Sequence, residues 1–271
     1  MPEAVATPQA PPSAEPAPLQ KLDAAVIAPR HTRNYRAAAF QVYVFGASAV
    51  FIALAVVAHT VAYFPIDLII THAVQSYHGV AFDRLMFWMS WIGFMPQVIV
   101  FGVGTVLALF MLGMRWESMS LVFAAIATGI GTLVKLVVFR PRPSSDLVHV
   151  FAQLPSSGFP SGHVLMFTSF CGFLVFLAYT LFKHSAWRTL VLTLLFTTIG
   201  LMGLSRIYRG QHWFSDVMGA YLLGSLWLAL TIKFYRWGKT RFFVHQPVAP
   251  TVPAPPAPAT ATAPAASVPA G

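Results

Sequence analysis

Charge is the scarcest ingredient of this sequence: only 9% of its 271 residues are Asp, Glu, Lys or Arg. Soluble domains carry roughly a quarter, because their surface faces water. An ordinary soluble globular fold is thereby excluded. Cysteine is almost missing as well, and the single Cys171 lies inside an apolar run. Neither an internal disulfide nor a cysteine-rich metal site can form, and Cys171 reads as a small core residue. The start of the chain lacks the charged segment, apolar stretch and cleavage pattern of a signal peptide. A continuous basic stripe is also absent, although the net charge is +9. Lys and Arg are spread between apolar segments, so no nucleic acid partner is expected.

What the sequence has is length in its apolar runs. Hydrophobic residues make up 57% of it and the mean hydropathy is +0.68. Several stretches reach the roughly 20 residues that a helix needs to cross a hydrocarbon core. Six spans are read at about 39–63, 88–113, 118–139, 162–182, 187–204 and 214–235. The expected fold class is therefore all-α, a polytopic six-span membrane bundle forming one domain over residues 39–245. Pro65 ends the first span, and the less apolar stretch from Asp67 to Arg84 reads as a loop with a short interfacial helix. Residues 1–38 read as a disordered cytoplasmic arm, and 246–271, almost wholly Pro, Ala, Thr and Val, as a disordered tail.

Basic residues near span ends are retained in the cytoplasm, which orients the bundle. One side collects Lys21, Arg30, Arg33, Arg36, Arg115, Lys183, Arg188, Lys233, Arg236, Lys239 and Arg241. The other holds Arg84, Lys135, Arg140, Arg142, Arg206 and Arg209. Both termini are then cytoplasmic, in a cell (inner) membrane. Trp116, Trp187 and Trp237 fall near the inner boundary, and Trp88, Trp91 and Trp213 near the outer one, as aromatic belts do. The outer cations lie at helix ends where a loop could have been neutral, so something anionic should compensate them.

Three short segments converge on that outer side. They are Lys135 with Arg142-Pro143, then Pro160-Ser161-Gly162-His163, then Ser205-Arg206 with His212 and Asp216. Span four runs inward from His163 and span five returns to Ser205, which puts the second and third segments on one face. Pro141 and Pro143 end span three beside them. Lys135, Arg142 and Arg206 supply cations for phosphate oxygens, two of them with planar forks. Ser161 is placed to cap span four, so backbone NH groups at Ser161, Gly162 and His163 can face an anion at the positive helix end. His212 and Asp216 are four apart and share one helix face, where the carboxylate can fix the imidazole tautomer.

The pattern Lys-x6-Arg-Pro, Pro-Ser-Gly-His, Ser-Arg-x5-His-x3-Asp resembles the type 2 phosphatidic acid phosphatase family, within the acid phosphatase and vanadium haloperoxidase superfamily. The resemblance covers roughly residues 39 to 235. It implies a bacterial-type membrane lipid phosphatase with a site on the extracytoplasmic face. Catalytic roles then fall to His212, which attacks phosphorus to form a phosphohistidine, to His163, which protonates the leaving oxygen and later activates water, and to Asp216, which orients His212. Lys135, Arg142, Ser161, Gly162 and Arg206 would bind the substrate phosphate. No cofactor or metal is expected, since beyond Asp216 the outer side offers only Asp67, Asp83 and Asp146, scattered in loops. The expected partners are membrane lipids and a lipid phosphate substrate such as phosphatidic acid, phosphatidylglycerol phosphate, undecaprenyl diphosphate or a lipid A phosphate.

Other readings of the same residues stay open at this level. A phosphotransferase would pass the phosphoryl group to a lipid acceptor, and a non-catalytic protein would bind lipid phosphates without turnover. A vanadium haloperoxidase is disfavoured, because those relatives are soluble. Taken singly, Arg140, Arg209 and Arg84 read as arginines snorkelling to head groups. His59, His72, His78 and His149 read as loop or interface residues. Ala124, Thr128 and Thr132, like Ala220 and Gly224, fit helix packing at four-residue spacing. Tyr208 and Gln211 are candidates for shaping the pocket.

Overall fold

In the computed structural model, which describes residues 30–243, no strand occurs among the described residues and nine α-helices follow one another. They are α1 (Arg30–Thr60), α2 (Pro65–Gln75), α3 (Val80–Ile92), α4 (Gln97–Met111), α5 (Arg115–Ala125), α6 (Ala127–Val138), α7 (Gly162–Leu181), α8 (Ala186–Tyr208) and α9 (Phe214–Gly238). A short π-helical turn, Lys239–Phe243, closes the described chain. The helix α1 begins at Arg30, so the expected arm is helical from there, and residues 1–29 and 244–271 lie outside the described part.

Five stretches are long and apolar enough to cross a membrane: Ala37–Thr60, Arg115–Val138, Gly162–Leu181, Ala186–Tyr208 and Phe214–Phe243. The sixth is broken. Where the sequence reads as one span over 88–113, α3 and α4 meet at a 62° bend across Gly93-Phe94-Met95-Pro96. Proline cannot continue a ladder of backbone bonds, and the freed groups of a break are tolerated where it is buried in protein or lines a cavity. The stretch from Asp67 to Arg84, expected as a loop with one short interfacial helix, is helical on both sides of a short turn, with Pro65 at the first position of α2.

The helix α7 is apolar on every side and forms the hub, a pattern that marks a buried helix. Phe167, Phe170, Phe173 and Leu165 on it are buried against Met202 and Ile207 of α8 and Val217 and Ala220 of α9. Close approach is paid for with small residues: a side chain at Gly172 would run into Leu228, and one at Gly224 into Thr168. Cys171 is buried in this hub. By contrast, the Ala37–Thr60 part of α1 turns almost its whole surface outward, as a lipid-facing helix does.

Two aromatic assignments change. Trp213, expected in the outer belt, is 1% exposed and packs against Tyr63 with ring centres 5.4 Å apart. Trp116, expected at the inner boundary, is also buried, and its indole NH donates to the Tyr235 carbonyl at 2.9 Å. Trp88, Trp91, Trp187 and Trp237 are exposed. Thr128 and Thr132 do not serve helix packing alone; both line the cavity described next.

Candidate active site

Helix ends place the three polar segments. The helix α6 stops at Phe139, whose left-handed backbone (φ 49°) turns the chain out before Pro141 and Pro143. Arg142 is thereby swung back over the end of the bundle. Ser161 opens α7, and its backbone NH donates to the carbonyl of Asp216 at 3.2 Å, which ties the second segment to the third. Its hydroxyl makes no capping bond; it is buried and unpartnered among the described residues, which corrects the expected side-chain cap. At the end of α8, Gly210 takes φ 61° with the His149 carbonyl so close that no side chain fits there. The chain then turns into α9, where Asp216 accepts from the Trp213 NH at 3.0 Å and caps the helix start.

A cavity of about 450 Å³ opens at this end, lined by Lys135, Arg142, Gly162, His163 and His212 on its polar side. Met95, Val98, Leu154 and Met166 supply apolar wall. Nη1 of Arg142 lies 3.1 Å from Nε2 of His212. Nδ1 of His212 faces Oδ2 of Asp216 at 3.5 Å. Burial, then the positive charge of Arg142, Lys135 and Arg206, holds the His212 imidazole well below its ordinary pKa. His212 is therefore neutral near pH 7, with Nδ1 on the carboxylate side and Nε2 toward the cations.

The cations differ in how they are occupied. Lys135 donates to the Ser157 carbonyl at 2.6 Å, and Arg142 to the carbonyls of Ser156 (2.7 Å) and Gln211 (2.6 Å) and to the Ser156 hydroxyl (2.9 Å). Arg206 is 0% exposed, and both its terminal nitrogens lack a partner among the described residues. Its guanidinium lies 5.4 Å from the centre of the Phe94 ring, which also meets His163 edge-on at 5.1 Å. The break between α3 and α4 thus forms a wall of the site; a side chain on Gly93 would overlap the His163 ring. Nε2 of His163 is buried and unpartnered among the described residues. All eight motif residues singled out in the sequence, from Lys135 to Asp216, lie at this one end of the bundle.

Arg140 and Asp67 were not among them. Arg140, read as a lipid-facing arginine, is 1% exposed and pairs with Asp216 at 2.7 Å and Asp67 at 3.0 Å. Asp67, read as a loop carboxylate, is 0% exposed on α2. Only an acidic residue just past the first span and a second arginine in the Arg-Pro-Arg-Pro run hinted at them, and neither hint names a partner. Arg209 stacks between Phe87 (5.6 Å) and Phe151 (4.9 Å), and Tyr208 bonds Asp83, so these two brace the same end of the bundle. Gln211 is buried and serves the cavity through its carbonyl. Among the described residues no three His, Cys, Asp or Glu side chains are grouped so as to hold a metal ion.

Fold and site together define a multi-pass helical membrane protein with a cationic, two-histidine pocket at one end. Residues 117–239, which contain all three motifs, match the PAP2 superfamily. It is 29% identical over 195 residues to phosphatidylglycerophosphatase B of Bacillus subtilis, a match covering 68% of this chain and 90% of that protein. The crystal structure of a transmembrane PAP2 type phosphatidylglycerolphosphate phosphatase from Bacillus subtilis shares the fold, with a TM-score of 0.64 at 24% identity over 74% of this chain and 99% of that one. Aquifex aeolicus LpxE does so with a TM-score of 0.52 at 21% identity, over 63% and 96%.

Proposed function

We propose that this phosphoric ester hydrolase releases phosphate from a membrane lipid phosphate through a phosphohistidine on His212. The observation that carries the reading is the excess of positive charge at the cavity, where Arg140 and Arg206 are buried and Lys135 and Arg142 half-buried. Among the described residues these four face only the two carboxylates Asp67 and Asp216, which leaves two positive charges uncompensated. A buried charge without a partner is strongly unfavourable, and a phosphomonoester supplies about two negative charges and several acceptor oxygens. The arriving phosphate takes the free nitrogens of Arg206 and replaces the Ser156 and Ser157 carbonyls on Arg142 and Lys135. The NH groups at the start of α7 complete its shell.

Nε2 of neutral His212 then attacks phosphorus, with Nδ1–H directed at Asp216 so that positive charge growing on the ring meets a carboxylate. His163 protonates the departing lipid oxygen and, once that alcohol has left, takes a proton from water for the second displacement. The cations neutralise the oxygens throughout. Phosphate release from a lipid panel, measured in excess chelator, is expected to match that without chelator. Activity abolished by chelator and restored by Mg²⁺ would refute this mechanism.

The cavity wall and the relatives together support a substrate class. An apolar flank of Met95, Val98, Leu154 and Met166 beside the cations suits a lipid whose phosphate enters from within the bilayer. Phosphatidylglycerol phosphate, the substrate class in the name of the Bacillus relative, is the first member of the panel, with phosphatidic acid, undecaprenyl diphosphate and a lipid A phosphate beside it. The Lys and Arg distribution supports an inner-membrane protein with cytoplasmic termini and this site facing outward.

A pH dependence follows from the depressed His212 pKa. Protonation destroys the nucleophile, so the acid limb of kcat/KM reports the free enzyme's His212. Because that pKa lies below the ordinary value, activity persists to lower pH than an unperturbed imidazole with pKa ~6.5 allows. The check is a kcat/KM profile corrected for the ionisation of the substrate phosphate. A limb at or above the ordinary imidazole range would contradict the assignment.

A further inference from the structure

A densely bonded polar cluster lies just behind the cavity. Arg140 donates through Nη1 to Oδ1 of Asp216 (2.7 Å) and to the Ser215 hydroxyl (2.7 Å), and through Nη2 to Oδ2 of Asp67 (3.0 Å). Its Nε reaches the Ala62 carbonyl at 3.2 Å, and the guanidinium lies 4.9 Å from the centre of the Phe64 ring. Asp67 accepts further from the Ser215 NH (2.8 Å), the Ser215 hydroxyl (2.8 Å) and the Phe64 NH (2.9 Å). The carbonyl of Arg140 accepts from the Gly158 NH at 2.8 Å, next to the Ser156-Ser157 turn that meets Arg142 and Lys135. Helix α2, the α6–α7 loop and the start of α9 are joined at this point.

We infer that Asp67 and Arg140 are positioning residues for the reaction: the Asp67–Arg140–Asp216 bridge fixes the carboxylate that faces His212 and keeps it electrically effective. The inference rests on reading His212 as the nucleophile. Arg140 alone would orient Asp216 but would also cancel its charge. A neutral Asp216–Arg140 pair has little left with which to stabilise a positive charge growing on the imidazole. Asp67 supplies the second carboxylate, so the bridge as a whole carries one negative charge toward His212. The guanidinium bonds one carboxylate through each terminal nitrogen, and this fixed planar geometry adds direction to that charge, which a lysine could not do. Neither Asp67 nor Arg140 lines the cavity, so the bridge is placed to act through Asp216.

The role predicts a split between kcat and KM. Asp67→Asn keeps the shape and most hydrogen bonds but removes the charge, so kcat should fall about thirtyfold or more. KM should stay level or drop, because the phosphate subsite becomes more positive. Arg140→Gln should also lower kcat, by losing direction. The double variant Asp67→Asn/Arg140→Gln restores a net negative Asp216, so its loss should be no greater than that of the worse single variant. Ser215→Ala, which removes only the bridging hydroxyl, should cost several-fold in kcat at constant KM and serves if the charge variants fail to fold. Multiplicative losses in the double variant, a raised KM with unchanged kcat, or wild-type kcat in Asp67→Asn or Ser215→Ala would overturn the inference. Running His212→Ala alongside separates the two readings: if that variant turns over normally, the nucleophile assignment has failed and the bridge role with it. If it is dead while Asp67→Asn is normal, only the bridge role has failed.

Discussion

His212→Ala is expected to lower phosphate release by roughly ten-thousandfold while leaving lipid phosphate binding largely intact. Removing the group that forms the covalent bond leaves only binding and charge stabilisation, and comparable losses accompany removal of other enzymatic nucleophiles. Binding survives because Lys135, Arg142 and Arg206 are untouched. The side chain is 2% exposed, and a truncation there opens space without stranding a charge, since the imidazole is neutral. Initial rates in detergent, with product inhibition as the measure of binding, separate the two effects. A variant that retained a tenth of wild-type turnover would mean that another group attacks phosphorus.

His163→Ala is expected to show a loss that depends on the leaving group. For a lipid alcohol, whose oxygen cannot depart as a free alkoxide, general acid catalysis contributes about a hundred- to ten-thousandfold. For a nitrophenyl phosphate the departing oxygen is already a weak base, and formation of the covalent intermediate should be nearly as fast as in the wild type. Geometry supports this division of labour. His163 lies on the cavity wall against Phe94, with Nε2 unpartnered, whereas His212 is held against Asp216. Equal losses on both substrates in the rate of forming the intermediate, read as the burst of released alcohol or nitrophenol, would show that His163 binds phosphate or holds the pocket together instead of moving a proton.

Much of this site could be read from the amino-acid sequence because its chemistry is local in sequence. Lys135 with Arg142, the Pro-Ser-Gly-His turn, and His212 with Asp216 each sit at a helix end that prolines or a capping residue mark. Long apolar runs then bring those ends to one face, since each span must cross the same thickness of hydrocarbon. What stayed hidden depends on contacts between distant segments. Asp67 and Arg140 are 73 residues apart and meet only because α2 folds under the start of α9. A charged residue next to a span end looks the same in sequence whether it pairs inward or reaches for head groups. Trp213 misled for a similar reason: an aromatic at a span end fits the lipid interface, but here it sits under Tyr63. The break at Gly93–Pro96 lay inside an apolar run, where hydropathy averages over a bend. Its importance appears only when Phe94 is seen against His163 and Arg206.

The covalent intermediate is the most direct test of the whole account. His163→Ala, given a ³²P-labelled nitrophenyl phosphate, should form the intermediate but lack the base that activates water, so label should accumulate on the protein. Rapid quenching in alkaline denaturant, where phosphohistidine survives, followed by peptide mapping should place that label on His212 and nowhere else. Label on another residue, or burst release of nitrophenol with no bound phosphate, would contradict it.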